Sequence, residues 1–355
     1  MRGQKITVTW FSFFLILVGA LPTLTPAQTR DATLRAIAKL EGKEREAQLL
    51  EGARKEGSLV WYSSSSAPDS LALIRKFEAK YPFLRVRHLA SPGEKMLTRI
   101  LTESRAGGFK ADVLSLPEIE LNALSKRKLL SRYHPPEQVI YPPELRDPLG
   151  FWTGMHISAL VAAYNTKLVP SQAVPKSYKD LLLPKWKGRI GMDTEPYSWF
   201  ITSLRYLEKR DGREAALDYF QQLGRQEIQF RKGTVLIAQL IAAGEFLLAP
   251  LSVHVVERVK AQGAPIDWVA LDGVMPINLV GVAMTGAGNS TYAGALFCDF
   301  ILSRVGMETL REGRRIPTRP DVTVPYLKPY KLLPFDPDEF DRNAALFRDI
   351  FRPPS

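Results

Sequence analysis

The sequence predicts an α/β protein, and its 355 residues are enough for two domains. Three observations predict this class. Short apolar runs alternate with stretches of helical apolar spacing. Pro, Gly and Ser punctuate the joints, where strands end and helices open. The hydrophobic content, 45%, is that of an ordinary globular chain. Strand, helix, strand, helix, strand points to a largely parallel sheet covered by helices.

The elements follow in order. Arg2 and Lys5 make a short basic segment, an apolar run fills 10–21, and small residues lead to Ala27. Basic, apolar, small is the order of a secretory signal peptide, and the run is shorter than the roughly 20 residues that span a bilayer. Residues 1–27 are therefore expected to leave on export, with an uncleaved anchor as the alternative. Residues 31–55 read as a charged amphipathic helix carrying Leu34, Ile37, Leu40, Leu49 and Leu50, so that 28–57 form a helical extension ending at Gly57. Residues 58–62 read as a buried strand. Ser66 with Asp69 has the form of a capping box, with Pro68 in the first turn. The helix behind it carries Leu71, Ile74 and Phe77 on one face, and Tyr81-Pro82 ends it.

The unit then repeats. Residues 84–89 read as a strand, Ser91-Pro92-Gly93-Glu94 as a second capping box, and Leu97, Ile100 and Leu101 as the stripe of its helix. Residues 111–116 read as a third strand. The apolar run 160–164 is extended. A short helix is expected at 178–183, a strand at 189–192, and a helix opened by Asp193-Thr194-Glu195-Pro196 with Phe200, Leu204 and Leu207 inward. A helix at 235–243 ends at Gly244, a natural C-terminal cap. Strands at 246–249, 267–271 and 279–284 and a long helix at 292–304 follow. The proline-rich tail ends in Leu346, Phe347, Ile350 and Phe351, a pattern that should pack.

The formal charge is +11, and the predicted leader accounts for only two of the basic residues. Lys and Arg are scattered, with no basic arm, so no nucleic-acid partner is expected and the basic surface suits attraction of anions. The one cysteine, Cys298, lies among Ala295, Leu296, Phe297, Phe300 and Ile301 and reads as a small buried hydrophobe. It lies far from the leader, so no lipid-anchoring cysteine follows the cleavage site.

Catalytic signatures are missing. The chain has no G-x-S-x-G elbow, no H-E-x-x-H and no phosphate loop. Gly286-Ala287-Gly288 lacks the third glycine of a dinucleotide fingerprint and reads as a turn. His88, His134, His156 and His254 show no metal-ligand spacing. No catalytic residue and no cofactor are assigned. What remains is a set of helix N-termini at the carboxyl ends of strands, where amide groups and hydroxyls can hold a carboxylate or phosphate. Ser64, Ser65 and Ser66 are candidates after the first strand, since the run of hydroxyls exceeds what one cap needs. Thr194 and Ser198 are candidates in the second half, with Tyr197 and Trp199 able to stack on a ligand. Capping serines and packed aromatics are the alternative readings, and Glu94 reads as a cap.

Several segments carry a resemblance. They are Leu59-Val60-Trp61-Tyr62-Ser63, Phe77-Glu78-Ala79-Lys80-Tyr81-Pro82, Ala111-Asp112-Val113, Ala163-Tyr164-Asn165-Thr166, Leu183-Pro184-Lys185-Trp186-Lys187-Gly188-Arg189-Ile190-Gly191, Ala242-Ala243-Gly244-Glu245, Leu296-Phe297-Cys298-Asp299-Phe300-Ile301-Leu302-Ser303 and Pro317-Thr318-Arg319-Pro320-Asp321-Val322. In this order and spacing, over 58–322, the chain resembles the extracellular solute-binding proteins of ABC importers, in the branch that includes the periplasmic ferric-ion-binding proteins.

The resemblance implies a two-lobed periplasmic-binding-protein fold of type II-like form. Each lobe would be a mostly parallel sheet flanked by helices, with the ligand cleft between lobes. One lobe would hold 58–160 and 279–315, the other 161–278 and 316–355, with crossings near 160–164 and 279–282. It implies a periplasmic monomer that captures a ligand by hinge closure and docks on an inner-membrane ABC permease, without catalysis. Ferric-binding relatives carry two adjacent tyrosines where this chain has Val253 and His254. The histidine those relatives carry after the first strand falls at Ser66, and their carboxylate ligand near Pro117 or Glu118. Without the phenolates, bare ferric ion is not the expected ligand. A small organic anion, a phosphonate-like molecule or an iron chelate is, with His254 and Glu118 as contacts. A metal site using His254 and Glu118 stays open as the alternative, as do an exported enzyme and a sensor subunit.

Overall fold

The structure, a computed structural model, describes residues 26–332 and 340–354. The predicted leader therefore lies almost wholly outside the described residues, and among these no helix is long and apolar enough to cross a membrane. Two helices, α1 (Pro26–Ile37) and α2 (Gly42–Glu56), stand where the sequence predicts one. Each keeps its own buried stripe, Leu34 and Ile37 on α1 and Leu49 and Ala53 on α2.

Three strand–helix units follow. β1 (Ser58–Ser63) feeds α3 (Ala67–Lys80), β2 (Arg85–Ala90) feeds α4 (Gly93–Arg105), and β3 (Val113–Pro117) feeds α5 (Glu118–Lys126). β1 lies between β2 and β3 and runs parallel to both, as the alternation predicts. On α3, Leu73, Ile74 and Phe77 are buried, and Leu71, expected inward, is exposed. Neither capping box forms. Ser66 is the N-cap of α3, but its hydroxyl turns to the Asp69 carboxylate, not to a backbone amide. Pro92, expected at the first helical position, is itself the N-cap of α4, so the helix begins one residue later than predicted, at Gly93.

After the short β4 (Leu130–Ser131) comes the longest strand, β5 (Thr153–Asn165). The chain continues through β6 (Gly191–Asp193), α6 (Tyr197–Asp211), α7 (Arg213–Gly224), β7 (Gln229–Arg231), α8 (Thr234–Ala243), β8 (Leu248–Ser252), α9 (Val253–Ala261) and β9 (Ile266–Val269). Gly244 takes φ +87° at the end of α8, the left-handed cap that only glycine adopts without strain. β10 (Met275–Thr285), α10 (Thr291–Leu302), α11 (Arg304–Glu312), β11 (Ile316–Pro317), β12 (Tyr330–Leu332) and α12 (Phe340–Phe351) complete the order. The long helix predicted at 292–304 breaks at Ser303, whose hydroxyl caps α11 by accepting from the Gly306 amide at 3.3 Å. Cys298 is buried in α10, as its apolar setting predicts.

β5 explains how the halves are joined. At about 3.3 Å per residue, thirteen extended residues reach about 43 Å. Its first part pairs antiparallel with β10 and β11, in the sheet ordered β11-β5-β10-β3-β1-β2. Its last part, from Leu160 to Asn165, pairs antiparallel with β8 and β9. β10 borders both β5 and β3. Parallel pairing thus holds in β2-β1-β3 and in β6-β7. β5 and β10 enter from outside those series and run against their neighbours, except that β10 lies parallel to β12.

The buried apolar side chains form three groups. One, with Phe77, Phe297 and Leu310, lies between the first sheet and α2, α3, α10 and α11. A second, with Phe200, Phe220 and Phe347, joins α6, α7 and α12, so the tail packs as its pattern predicts. The third runs under the shared sheet and includes Leu114 and Ile157 with Val253 and Ile266 from beyond the crossing.

Candidate ligand-binding site

Among the helices that begin at the carboxyl ends of strands are α3, α4 and α5 on one side and α6 and α9 on the other. This is where an open α/β sheet holds ligands. Contacts tie the two sets of tips together. Lys95 of α4 meets Glu195, just before α6, at 3.4 Å. Arg258 of α9 pairs with Asp69 of α3 and donates to the Ser66 hydroxyl at 3.2 Å. Glu118, the first residue of α5, faces the Arg205 guanidinium of α6. The N-cap of α9 also touches the shared strand, with the Ser252 and Ser158 hydroxyls 3.0 Å apart.

The serines after β1 differ in their commitments. Ser64 continues the sheet, its amide donating to the Ser115 carbonyl at 2.9 Å. The Ser66 hydroxyl donates to Asp69 at 2.7 Å. Ser65 is buried, its amide donates to the Ser63 hydroxyl at 3.3 Å, and its own hydroxyl has no hydrogen-bond partner. A buried polar atom left without a partner is costly and calls for an explanation.

His254 is the second residue of α9, a helix to which the sequence reading assigned no element. Its Nδ1 is also buried without a partner. Burial, the Arg315 and Arg258 guanidiniums and His156 hold its pKa well below the ordinary histidine value, so the ring is neutral. The buried His156, on β5, is depressed in the same way by burial and by Arg315 and Arg258. Asp69 is in contact with both guanidiniums: Arg315 donates from Nε at 2.8 Å and Arg258 from Nη2. The cluster thus carries more positive than negative charge.

Burial raises the Glu118 carboxyl to about 7, against the pull of Arg205. Glu120, deeper in α5, is raised to about 8 by burial and by the neighbouring Glu94 and Glu118. Among the described residues no three His, Cys, Asp or Glu side chains converge where they could hold a metal ion.

The second-half candidates separate. Thr194 and Tyr197 line a cavity of about 530 Å³ with Glu195, Lys232, Arg348 and Arg352. The Tyr197 hydroxyl accepts from Arg348 at 3.3 Å. Ser198 is exposed, and its carbonyl accepts from Asn278 of β10 at 3.5 Å. Trp199 departs from the stacking role expected of it. It is buried against Phe220, ring centroids 5.9 Å apart, because it sits on the core side of α6.

Residues 124–343 match the model of a family described as bacterial extracellular solute-binding protein. The chain belongs to that family. The solute-binding protein is 27% identical over 219 residues to iron uptake protein A1 of a Synechocystis strain, covering 61% of this chain and 55% of the relative. The match to an uncharacterized Haemophilus influenzae protein covers 39% of that relative, so the chain spans about half or less of the curated relatives it matches. Iron-bound HitA from Pseudomonas aeruginosa shares the fold at TM-score 0.74 and 24% identity, over 82% of this chain and 99% of that one. AfuA from Actinobacillus pleuropneumoniae, solved with fructose-6-phosphate bound, does so at TM-score 0.70 and 23% identity, over 84% and 98%. The two-lobed architecture expected from the sequence is therefore that of the solute-binding protein.

Arg258, Arg315 and Arg205 are the site residues that the sequence reading missed. Arg258 lies one helical turn beyond His254, a relation visible only once 253–261 is read as a helix.

Proposed function

We propose that this solute-binding protein captures a small organic anion, carrying a phosphate or carboxylate group, between the α3–α5 tips and the α6–α9 tips. One observation carries the reading. The Ser65 hydroxyl and the His254 Nδ1 are buried without partners at the tips of α3 and α9, beside two guanidiniums that share the Asp69 carboxylate. A neutral imidazole, a hydroxyl, helix-tip amides and surplus positive charge form the donor set that an anion needs. The fructose-6-phosphate bound to AfuA lends support from the same fold.

In this reading residues 1–27 direct export to the periplasm, and the loaded protein delivers its ligand to an inner-membrane ABC permease without chemical change. The first lobe holds 58–160 and 279–315. The pairing of β11 with β5 and of β12 with β10 extends it towards 332, and α12 returns to the second lobe. An anionic iron(III) chelate is a second reading, favoured by Glu118 at the α5 tip and by the iron-binding relatives.

Thermal melting tests both. A ligand at a hundredfold excess over Kd adds about 2.7 kcal/mol to stability. Inorganic phosphate, fructose 6-phosphate or ferric citrate should raise the melting temperature, and Ser65→Ala and His254→Ala should remove the rise. A rise with ferric chloride alone, or none with any anion, would contradict the proposal.

A further inference from the structure

We infer that Arg258, in the last turn of α9, is a positioning residue that latches α9 to the ligand-bearing tip of α3 through Asp69. The inference rests on the cleft reading above, since it assumes that the α3 and α9 tips close on one ligand. Asp69 belongs to the first turn of α3 and Arg258 to α9, so their ion pair bridges the two halves. Arg258 also donates from Nε to the Gly313 carbonyl at 2.7 Å and from Nη1 to the Ser66 hydroxyl. One guanidinium from the second half thus engages three groups of the first. Gly313 leaves room for it: a Cβ there would come within 2.8 Å of the Asp69 Oδ1 and 3.3 Å of the Arg258 Nη2.

The arrangement is built to open. The Asp69 carboxylate is 2% exposed, Arg315 7% and Arg258 25%. Arg315 directly precedes β11, which pairs with the first part of β5, so it stays with the first half when α9 swings away. Asp69 would keep Arg315 and the Ser66 hydroxyl and would not be stranded as an unpaired buried charge, the outcome that makes such pairs costly to break. Arg258 already reaches water. Opening therefore exchanges the ion pair and the hydrogen bonds to the Gly313 carbonyl and the Ser66 hydroxyl for hydration of a guanidinium that is already partly exposed, and closing regains them.

The latch contacts are all to protein groups, so they favour the closed state for any anion, and Asp69→Asn, which keeps the Arg258 charge, separates the latch from the pull of that charge on the guest. Loss of the latch should appear as faster release, whereas Ser65→Ala should discriminate among anions. The test compares the wild type, Asp69→Asn, Arg258→Ala and Arg258→Lys by small-angle scattering without ligand and by stopped-flow dissociation of inorganic phosphate and fructose 6-phosphate. Asp69→Asn and Arg258→Ala should scatter as more open molecules and release both anions roughly tenfold faster, with Arg258→Lys in between. Should Arg258→Ala fail to fold, Arg258→Lys and Asp69→Asn still decide. Scattering and release rates equal to wild type in the folded variants would overturn the latch. If the wild type binds no anion but the unliganded variants still open, the latch stands and the ligand reading falls.

Discussion

Ser65 and Glu120 show how a single side chain can separate binding from folding. The Ser65 hydroxyl is buried without a partner, so removing it takes away a desolvated group and no hydrogen bond. Ser65→Ala should leave the unliganded melting temperature unchanged or higher, yet weaken anion affinity about tenfold, or roughly 1.4 kcal/mol. Calorimetric titration beside a melt reads both, and a variant that melts lower with unchanged affinity would make Ser65 a structural residue. Glu120 carries a sign that can be worked out. Its folded carboxyl holds a proton up to about pH 8, against 4.5 for an ordinary glutamate. The folded state binds more protons than the unfolded one across that window, so stability falls as pH rises from about 4.5 to 8. Glu120→Gln should match wild type near pH 5 and exceed it on the order of 2–4 kcal/mol at pH 8. Denaturant midpoints at both values measure it, and parallel curves would contradict it. At this scale the sequence was partly legible. The hydroxyl run and His254 stood out by type, but the arginines did not, because an arginine in a basic chain says nothing until its partner is placed.

Among the elements, α9 marks where sequence pattern and structure part. The sequence reading assigned no element to 253–261; Val253, Val255 and Val256 are β-branched, which favours a strand, yet they are buried on one side of a helix whose tip faces the cleft. Tertiary packing against β9 and the shared sheet decided against local propensity. The first two strand–helix units and the third strand were read within a few residues, because their apolar residues keep strand and helix spacing, whereas α5 was not read. α12 was legible from four apolar residues at helical spacing. Phe347 is fully buried between Phe200 and Phe351, with centroids 5.5 Å and 4.9 Å away. Phe347→Ala should cost about 3–5 kcal/mol, read as a lower denaturant midpoint. A loss below about 1 kcal/mol would mean that the tail does not hold the second half together.

At the scale of the molecule, the proposed capture depends on β5, which pairs with both sets of strands, and on the facing helix tips. The apolar run 160–164 lies in the last part of β5, but its antiparallel partners there, β8 and β9, lie about a hundred residues away and could not be read from local order. The most direct measurement is native mass spectrometry of the protein recovered from periplasm without denaturation, for wild type and for Ser65→Ala/His254→Ala. The account predicts one small species bearing a phosphate or carboxylate group on the wild type, and its absence from the double variant. An equal load on both proteins, or a bare metal ion on the wild type, would contradict it.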